Sequence, residues 1–384
     1  MRILKAVRPG LRSRRAATTA TAVLALIAGV ASAVSAQPAA KPGTVVRTDA
    51  LPQAARLAGA ADAGQRRVTY WTEGPDGEPA LSTGAVYLPP GEPPVGGWPV
   101  VSFAHGTTGV GDDCAPSFTG DSSATREYLD AWLSAGFAVT ATDYVGLGTD
   151  GVHPYLHGRS EGRAVIDMVR AATSVAPELS RRWVAVGHSQ GGHAAMFAAH
   201  AATGYAPELD YRGAVATGTP ANLEQLLPLG GPGFPDLGLN GLTVFAAYIV
   251  DGVRVARPDL PIDDYLTPAG AALVAESETL CFTALRDRAG ALGIGEMLSR
   301  PLDEPRIRDA IGDYLAVPTT GYDRPLFVGH GLPDRMVPFP LGAKLAADLV
   351  ASGQNVTVRA YPGAHQPSAA QSLPDAIAFA RAHV

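Results

Sequence analysis

The sequence predicts an α/β fold in which a mostly parallel β-sheet carries helices on both faces and receives an inserted helical cap. Strand-like apolar runs alternate with helical segments through most of the chain, which is typical of a parallel sheet covered on both sides. The alternation stops at residues 221–318, where Pro/Gly-rich turns and apolar helical segments occur without a central-strand candidate. About a hundred residues between two strands are too many for a loop, so we interpret them as a cap. The alternative, a second independent domain, would need clear linkers on both sides.

Residues 1–36 are typical of a secretory signal peptide. They begin with a basic stretch that has no acidic residue, continue with an apolar run, and end in Val34-Ser35-Ala36. This succession predicts cleavage after Ala36, with Ala33 as the alternative site, and a mature domain of residues 37–384. A membrane anchor is the weaker interpretation because no stop-transfer pattern follows. The twin arginine Arg14-Arg15 leaves both the Sec and the Tat export routes open.

The charge of the mature chain limits its partners. Cleavage removes six basic residues, so the formal charge changes from −6 to −12. A surface this acidic argues against nucleic acid and anionic membranes as partners. We expect a secreted, extracellular monomer without a membrane anchor, acting on small neutral or apolar molecules, lipids included.

The elements of the body follow from periodicity and turn residues. Residues 67–72 and 81–88 alternate around Glu73-Gly74-Pro75-Asp76-Gly77 and predict a hairpin. Short apolar runs predict buried strands, and longer amphipathic or alanine-rich runs predict the helices between them. The strands are predicted at 98–104, 137–142, 183–187, 211–217, 325–329 and 356–361. The helices are predicted at 123–135, from 162, from 190 to about 202, at 339–352 and, as the closing element, at 374–383; the cap helices are predicted at 242–250, 268–275, 280–292 and 304–315.

The predicted strand at 183–187 ends at a glycine and is followed by a helix. Ser189 lies at the turn between them. Gly187 and Gly191 flank the serine in a G-x-S-x-G nucleophile elbow, where side chains at the two glycines would collide with the neighbouring strand or helix. The helix that follows directs its free N–H groups, Gln190 first, toward a reacting carbonyl oxygen. The alternative is a buried glycine-rich strand-to-helix turn without a catalytic role.

A second turn follows the strand at 98–104. His105-Gly106-Thr107-Thr108-Gly109 lies where an α/β-hydrolase places its other oxyanion donor, and we assign that role to the Thr107 N–H. An ordinary glycine turn is the alternative.

The two cysteines, Cys114 and Cys281, are predicted to form a disulfide, because the export signal places them in an oxidising compartment. The bond would hold the cap beside the loop that contains Thr107. A metal site is disfavoured because paired Cys/His spacing is missing.

Residues 143–149 form a glycine-rich loop that we interpret as a pocket wall. A phosphate cradle is the alternative, but the G-x-G-x-x-G spacing and the Walker lysine are missing. His153 and His157 have a spacing compatible with a metal pair. No third ligand is evident, so we expect solvent-facing or pocket-lining histidines.

Three residues complete a candidate catalytic triad. A serine hydroxyl needs an imidazole to accept its proton and a carboxylate to orient that imidazole. Ser189, Asp334 and His365 occur in the order expected of an α/β-hydrolase, each in a loop after a predicted strand. His330 shares the loop of Asp334, and we interpret it as a packing residue.

Three blocks of sequence resemble a known family. They are Ala104-His105-Gly106-Thr107-Thr108-Gly109-Val110 with Cys114-Ala115-Pro116-Ser117, Asp143-Tyr144-Val145-Gly146-Leu147-Gly148-Thr149 through Gly158-Arg159-Ser160-Glu161-Gly162-Arg163-Ala164, and Gly187-His188-Ser189-Gln190-Gly191-Gly192. On these motifs the chain resembles the secretory lipases of the α/β-hydrolase superfamily, similar to the fungal lipase A group and its actinobacterial relatives. The resemblance implies a capped α/β-hydrolase fold, carboxylic ester substrates that include acylglycerols, and a triad at Ser189, Asp334 and His365.

The sequence therefore predicts a secreted serine esterase or lipase that needs no cofactor or metal. Ser189 would form an acyl-enzyme, His365 would pass the proton to the leaving alcohol, and water would release the acid. Polyester, amide or thioester hydrolysis by the same site is the alternative among enzymes. A catalytically silent hydrolase-fold binding protein is the alternative outside them; such proteins usually lose a triad member, and here all three are present.

Overall fold

The computed structural model describes residues 40–235 and 240–384. The predicted signal peptide, residues 1–36, lies outside the described residues. The described part is organised around one nine-stranded sheet. Its strands are β1 (Val45–Ala50), β2 (Gln65–Glu73), β3 (Pro79–Tyr87), β4 (Trp98–Ala104), β5 (Ala138–Val145), β6 (Leu179–His188), β7 (Asp210–Thr217), β8 (Leu326–Gly331) and β9 (Val356–Tyr361).

The sheet is mostly parallel, as the alternation of strands and helices predicts. Its strand order is β1-β2-β3-β5-β4-β6-β7-β8-β9. The first three strands pair antiparallel with their neighbours, and every pair from β5 to β9 is parallel. The order reverses at β4, which has β5 on one side and β6 on the other. Ligands of open α/β sheets bind at such a switch point, outside the carboxyl ends of the strands.

Helices cover both faces of the sheet. The described helices are α1 (Pro116–Thr119), α2 (Ser123–Ser134), α3 (Gly158–Val175), α4 (Gln190–Tyr205), α5 (Leu223–Leu226), α6 (Asn240–Ala256), α7 (Pro268–Ser277), α8 (Phe282–Ala289), α9 (Ile294–Met297), α10 (Pro305–Leu315), α11 (Phe339–Ala351) and α12 (His365–His383).

Two apolar cores lie on opposite faces of the sheet. Side chains of α3, α4 and α11 form the first core with one face of the strands, where Trp183 and Met168 are fully buried. Helices α2 and α12 cover the other face, where Trp132 and Phe379 pack against strand residues. This two-faced burial confirms the predicted α/β class and explains why the central strands read as continuous apolar runs.

Helices α5 to α10 all lie between β7 and β8, and the described part of this segment contributes no strand to the sheet. They form a separate apolar core around residues such as Tyr248 and Leu285. Tyr155 and Leu156, from the loop after β5, belong to the same core. In the described residues no helix is long and apolar enough to cross a bilayer.

The structure corrects the start of the closing helix. The sequence predicts this start at residue 374. Proline is favoured in the first turn of a helix, because the N–H that it lacks would have no intrahelical acceptor there. Helix α12 instead begins at His365 and contains Pro374 in its interior. His365 is therefore the first residue of a helix rather than a loop residue, one residue after the N-cap Ala364.

Two strands also differ from expectation. Strand β1 was not predicted, because it is an edge strand whose side chains are mostly exposed and therefore lack an apolar pattern. Strand β5 continues to Val145, three residues beyond its predicted end, so that the buried Asp143 belongs to a strand rather than to the glycine-rich loop.

Candidate active site

Ser189 lies in a strained turn between β6 and α4. Its backbone has φ 59° and ψ −125°, in a region that residues with a side chain rarely adopt. A Cβ on Gly187 would overlap the Gly191 carbonyl, and a Cβ on Gly191 would overlap the Ala104 carbonyl in β4. The predicted collisions at the two glycines are confirmed. They explain how β6, α4 and β4 approach closely enough to hold the serine above the sheet.

Asp334 and His365 are in direct contact. His365 Nδ1 donates to Asp334 Oδ2 at 2.6 Å, and the other carboxylate oxygen accepts from the N–H groups of Met336 and Val337 at 2.9 and 3.0 Å. His330 Nε2 lies 3.4 Å from the same Oδ2 and donates to the Val337 carbonyl at 2.9 Å. Burial raises the pKa of Asp334, but the hydrogen bonds from His330 and His365 outweigh it and hold that pKa well below its usual range.

His365 Nε2 is buried and has no hydrogen-bond partner among the described residues. The structure thus joins the acid to the histidine but contains no hydrogen bond from Ser189 to His365. Catalytic hydrogen bonds are often long in the absence of substrate and tighten in the complex. All three side chains lie on the carboxyl side of the strands, after β6, β8 and β9 respectively.

Sequence reasoning missed the contact between His188 and His365. Their ring centroids are 4.6 Å apart, and His188 Nδ1 hydrogen-bonds Thr217 Oγ1 at 2.9 Å. Burial, together with the neighbouring His365, lowers the pKa of His188 to about 3, so the ring is neutral at physiological pH. Gly218 leaves room for both rings, because a Cβ there would lie 2.7 Å from His188 and 3.1 Å from His365.

The two residues predicted as oxyanion donors come from two segments near Ser189, the start of α4 and the loop after β4. Gln190 is the first residue of α4, so its N–H has no intrahelical acceptor. Thr107 lies in the loop after β4; a Cβ on the preceding Gly106 would be 3.7 Å from Ser189 Cβ. The Thr107 hydroxyl hydrogen-bonds the Tyr155 hydroxyl at 2.7 Å.

A buried polar cluster lies behind Gln190, and sequence reasoning did not single it out. Its centre is Glu161, whose carboxylate lies between His153 and His193 at 3.4 and 3.5 Å. Burial raises the pKa of Glu161, but the two neighbouring histidines outweigh it and hold the pKa at about 2. His153 is therefore a buried network residue, and His157 is the N-cap of α3. In residues 40–235 and 240–384 no group of three or more His, Cys, Asp or Glu side chains is arranged to hold a metal ion.

Cys114 and Cys281 form the predicted disulfide, with their Cα atoms 5.5 Å apart. Cys114 lies in the loop that follows Thr107, and Cys281 is the N-cap of α8. The bond therefore joins that loop to the helical segment between β7 and β8.

An apolar cavity of about 230 Å³ opens beside Ser189. Its walls come from the loop after β5 (Tyr155 and Leu156), from the segment that includes α6 (Phe245, Ala246 and Ile249), and from the loop that carries Asp334. Among the residues that the structure describes, the lining contains no charged side chain. Such a cavity receives an apolar chain and offers no partner to a charged group.

A sequence profile described as "Secretory lipase" matches residues 121–382, more than half of the chain. The chain belongs to the secretory lipase family. Membership places it among the lipases and esterases, which are carboxylic ester hydrolases, and confirms the resemblance seen in the motifs.

Relatives of the chain occur in fungi and bacteria. Lipase A of Moesziomyces aphidis is 26% identical over 359 residues, which cover 83% of this chain and 71% of that protein. A protein of Mycobacterium tuberculosis named as a probable inactive lipase is 26% identical over 314 residues, which cover 76% of this chain and 67% of that protein.

Solved structures confirm the α/β-hydrolase fold. Candida antarctica lipase A in its closed state has a TM-score of 0.71 at 22% identity, with coverage of 88% of this chain and 80% of that chain. The rice cell wall degrading esterase LipA of Xanthomonas oryzae has a TM-score of 0.68 at 21% identity, with coverage of 88% and 96%. At these identities the likeness establishes the fold alone.

Proposed function

We propose that the chain hydrolyses carboxylic esters through an acyl-enzyme on Ser189, with His365 as the general base and Asp334 as its orienting acid. One observation carries this assignment: the strained Ser189 turn opens onto an apolar cavity on the same sheet edge as the Asp334–His365 pair. A strained serine between β6 and α4 is the arrangement of a nucleophile elbow.

The reaction proceeds in two steps, acylation of Ser189 and hydrolysis of the acyl-enzyme. Ser189 Oγ attacks the ester carbonyl carbon while its proton passes to His365 Nε2, and the negative oxygen accepts N–H bonds from Gln190 and Thr107. The C–O bond to the alcohol then breaks, and His365 returns the proton to the leaving oxygen. Water repeats the sequence: its proton goes to His365, its oxygen attacks the acyl carbon, and Ser189 leaves with the proton.

Two features of this chain support these roles. The Asp334 carboxylate stays ionised, because hydrogen bonds outweigh its burial, so it stabilises the imidazolium that forms in each step. The neighbouring His188 ring stays neutral and therefore adds no repulsive charge when His365 becomes positive.

The substrate is an ester with an apolar acyl chain, as in acylglycerols. Its acyl chain lies in the cavity between Tyr155 and helix α6, and residues 221–318 act as the cap over it. The secreted triacylglycerol lipase of Malassezia furfur, which is 25% identical over 297 residues, is a relative whose name gives this class of substrate.

The protein acts outside the cell as a monomer after removal of residues 1–36. The basic and apolar leader and the relative named as secreted support export. Amino-terminal sequencing of the secreted protein is expected to begin at Gln37, and sedimentation equilibrium is expected to give the mass of one chain. A retained leader would refute the removal of residues 1–36, and a stable dimer would refute the monomeric state.

The assignment is tested with Ser189→Ala and a series of p-nitrophenyl esters. The variant is expected to lose hydrolysis while its circular dichroism and thermal transition stay those of wild type. Exposed Ser123→Ala, at the start of α2, serves as the matched control and is expected to keep full activity. A folded Ser189→Ala protein with wild-type rates would overturn the mechanism, and an inactive wild type would favour the non-catalytic alternative.

A further inference from the structure

Gln190 is held by its side chain as well as by its place in α4. The side chain is fully buried, and its Nε2 donates to Glu161 Oε1 at 2.8 Å and lies 2.8 Å from His153 Nε2. The amide nitrogen faces both atoms, because a carboxylate oxygen is only an acceptor and would repel the amide oxygen. Gln190 thus has two fixed contacts behind the N–H that faces the proposed oxyanion.

His153 is set to accept the second of these bonds. Its Nδ1 lies 2.8 Å from the Val145 carbonyl, which can only accept, so the ring proton is on Nδ1. Nε2 then presents its lone pair to the second amide hydrogen of Gln190. The two hydrogens of one amide nitrogen are therefore used, one on Glu161 and one on His153.

Glu161 is also connected to the other oxyanion residue. Its Oε1 accepts the backbone N–H of Leu156 at 2.9 Å. The preceding residue, Tyr155, is buried and hydrogen-bonds the Thr107 hydroxyl at 2.7 Å. One carboxylate oxygen thus contacts the Gln190 side chain directly and reaches Thr107 through the backbone beside Tyr155.

The second carboxylate oxygen faces His193. His193 Nε2 donates to the Leu315 carbonyl at 3.0 Å, so its Nδ1, 3.5 Å from Glu161 Oε2, would carry a lone pair in the neutral ring. Neither of these two atoms has a hydrogen-bond partner among the described residues. His193 therefore bonds α4 to the end of α10.

We propose that Glu161 is a positioning residue for the oxyanion hole, holding the Gln190 N–H through the Gln190 side chain and the Thr107 N–H through Leu156 and Tyr155. The proposal rests on the proposed function, in which those two N–H groups stabilise the tetrahedral intermediate. Misplaced donors weaken the transition state more than the bound ester, so kcat should fall while KM changes little.

Gln190→Ala is the decisive variant, because it removes the side-chain contacts and leaves the backbone N–H in a position where alanine favours the helix. We expect kcat to fall by about 10-fold to 100-fold, which is at most the lower end of the loss seen when an oxyanion donor is removed outright. The affinity for a trifluoromethyl ketone, which forms an oxyanion on the serine, should fall in parallel while KM stays near wild type. Unchanged kcat and ketone affinity would overturn the proposal.

Substitution of Glu161 itself supplies a rescue test. Glu161→Ala should lose kcat as Gln190→Ala does. Glu161→Gln should recover most of that loss, because an amide oxygen still accepts from Gln190 and Leu156, and the amide nitrogen can donate to His193 Nδ1. Exposed Glu78→Gln is the matched control. Equal losses in the two Glu161 variants would contradict a role through hydrogen bonds.

The two hypotheses fail in different ways. If wild-type activity does not depend on Ser189, the proposed function fails before these variants are compared. If Ser189→Ala is inactive but Gln190→Ala keeps wild-type kcat, the mechanism stands and only the positioning role of Glu161 falls.

Discussion

The backbone N–H of Phe282 donates to the carbonyl of Thr108 at 2.8 Å, one residue beyond the proposed oxyanion donor Thr107. The Cys114–Cys281 disulfide lies beside this bond. Gly109 permits the approach, because a Cβ there would lie 2.9 Å from Cys114 Cβ and 3.0 Å from Cys281 Cα. The loop that positions Thr107 is therefore fixed to the helical segment that lines the cavity.

Removal of the disulfide should lower both stability and kcat. The bond closes a loop with a sequence separation of 167 residues, for which the chain-entropy relation gives a loss of about 5 kcal/mol in the free energy of unfolding as an upper figure. Cys114→Ser with Cys281→Ser should shift the urea midpoint downward and reduce kcat, because the Thr107 loop loses its covalent attachment to the helical segment. Wild type treated with reductant is expected to match the double variant.

The same double variant without reductant supplies the control for side effects of the reagent. An unchanged urea midpoint in both preparations would show that the bond does not stabilise the fold. Lower stability with unchanged kcat would separate the disulfide from the oxyanion loop.

Asp334→Asn should reduce kcat by about 10⁴-fold, the loss seen when the acid of a Ser-His-Asp triad is replaced by its amide. The amide oxygen can still accept the Met336 and Val337 N–H groups, so the loop is expected to fold. The amide nitrogen, however, would face His365 Nδ1 as a donor and favour the tautomer that cannot accept the serine proton. Exposed Asp323→Asn is the control, and comparable activity in the two variants would remove Asp334 from the mechanism.

Ala246→Leu should change the acyl-chain profile. Ala246 is buried on α6 and lines the cavity beside Ser189, so a larger side chain there occupies space that the acyl chain needs. We expect kcat/KM for the longest p-nitrophenyl esters to fall by about tenfold or more relative to the acetate. Val255→Leu, on the exposed side of the same helix, should leave the profile unchanged. An equal loss for all chain lengths would place the acyl chain elsewhere.

Acid should destabilise the protein through Glu161. Its pKa is about 2 in the folded protein against an ordinary value of 4.5, so between these values the unfolded state binds more protons. The free energy of unfolding therefore rises with pH through this window. As the pH falls from 4.5 toward 2, the contribution of Glu161, on the order of 3 kcal/mol, is lost. Urea titrations at several pH values measure the slope.

Glu161→Gln should flatten that slope, because the amide does not titrate. Asp334, whose pKa is also lowered, remains in this variant and keeps part of the acid dependence. Identical slopes for wild type and Glu161→Gln would show that Glu161 is not the ionised, hydrogen-bonded group described.

Local sequence patterns predicted the fold and the family, because both predictions depend on residues that are close together in the chain. The glycines around Ser189 indicated the turn. The structure gives the reason, because a Cβ at either glycine would overlap the backbone of β4 or α4. The disulfide followed from two cysteines and an export signal. The start of α12 did not follow, because tertiary packing tolerates Pro374 inside the helix, against its local preference.

The contacts around the site could not be predicted in the same way. His188 is adjacent to Ser189 in the chain, but its packing against His365 joins residues that are far apart in sequence. Glu161, Gln190 and His193 lie on two different helices, and His153 lies in a loop, so their convergence depends on how α3 packs against α4. The sequence alone does not indicate which of these polar residues are buried together.

Labelling with a fluorophosphonate tests the central claim most directly. The reagent is expected to give one stoichiometric adduct on wild-type protein, and tandem mass spectrometry of the peptides should place it on Ser189. Asp334→Asn should react far more slowly, and Ser189→Ala should not react at all. An adduct on another residue, or a folded protein that hydrolyses esters without reacting at Ser189, would contradict the proposed mechanism.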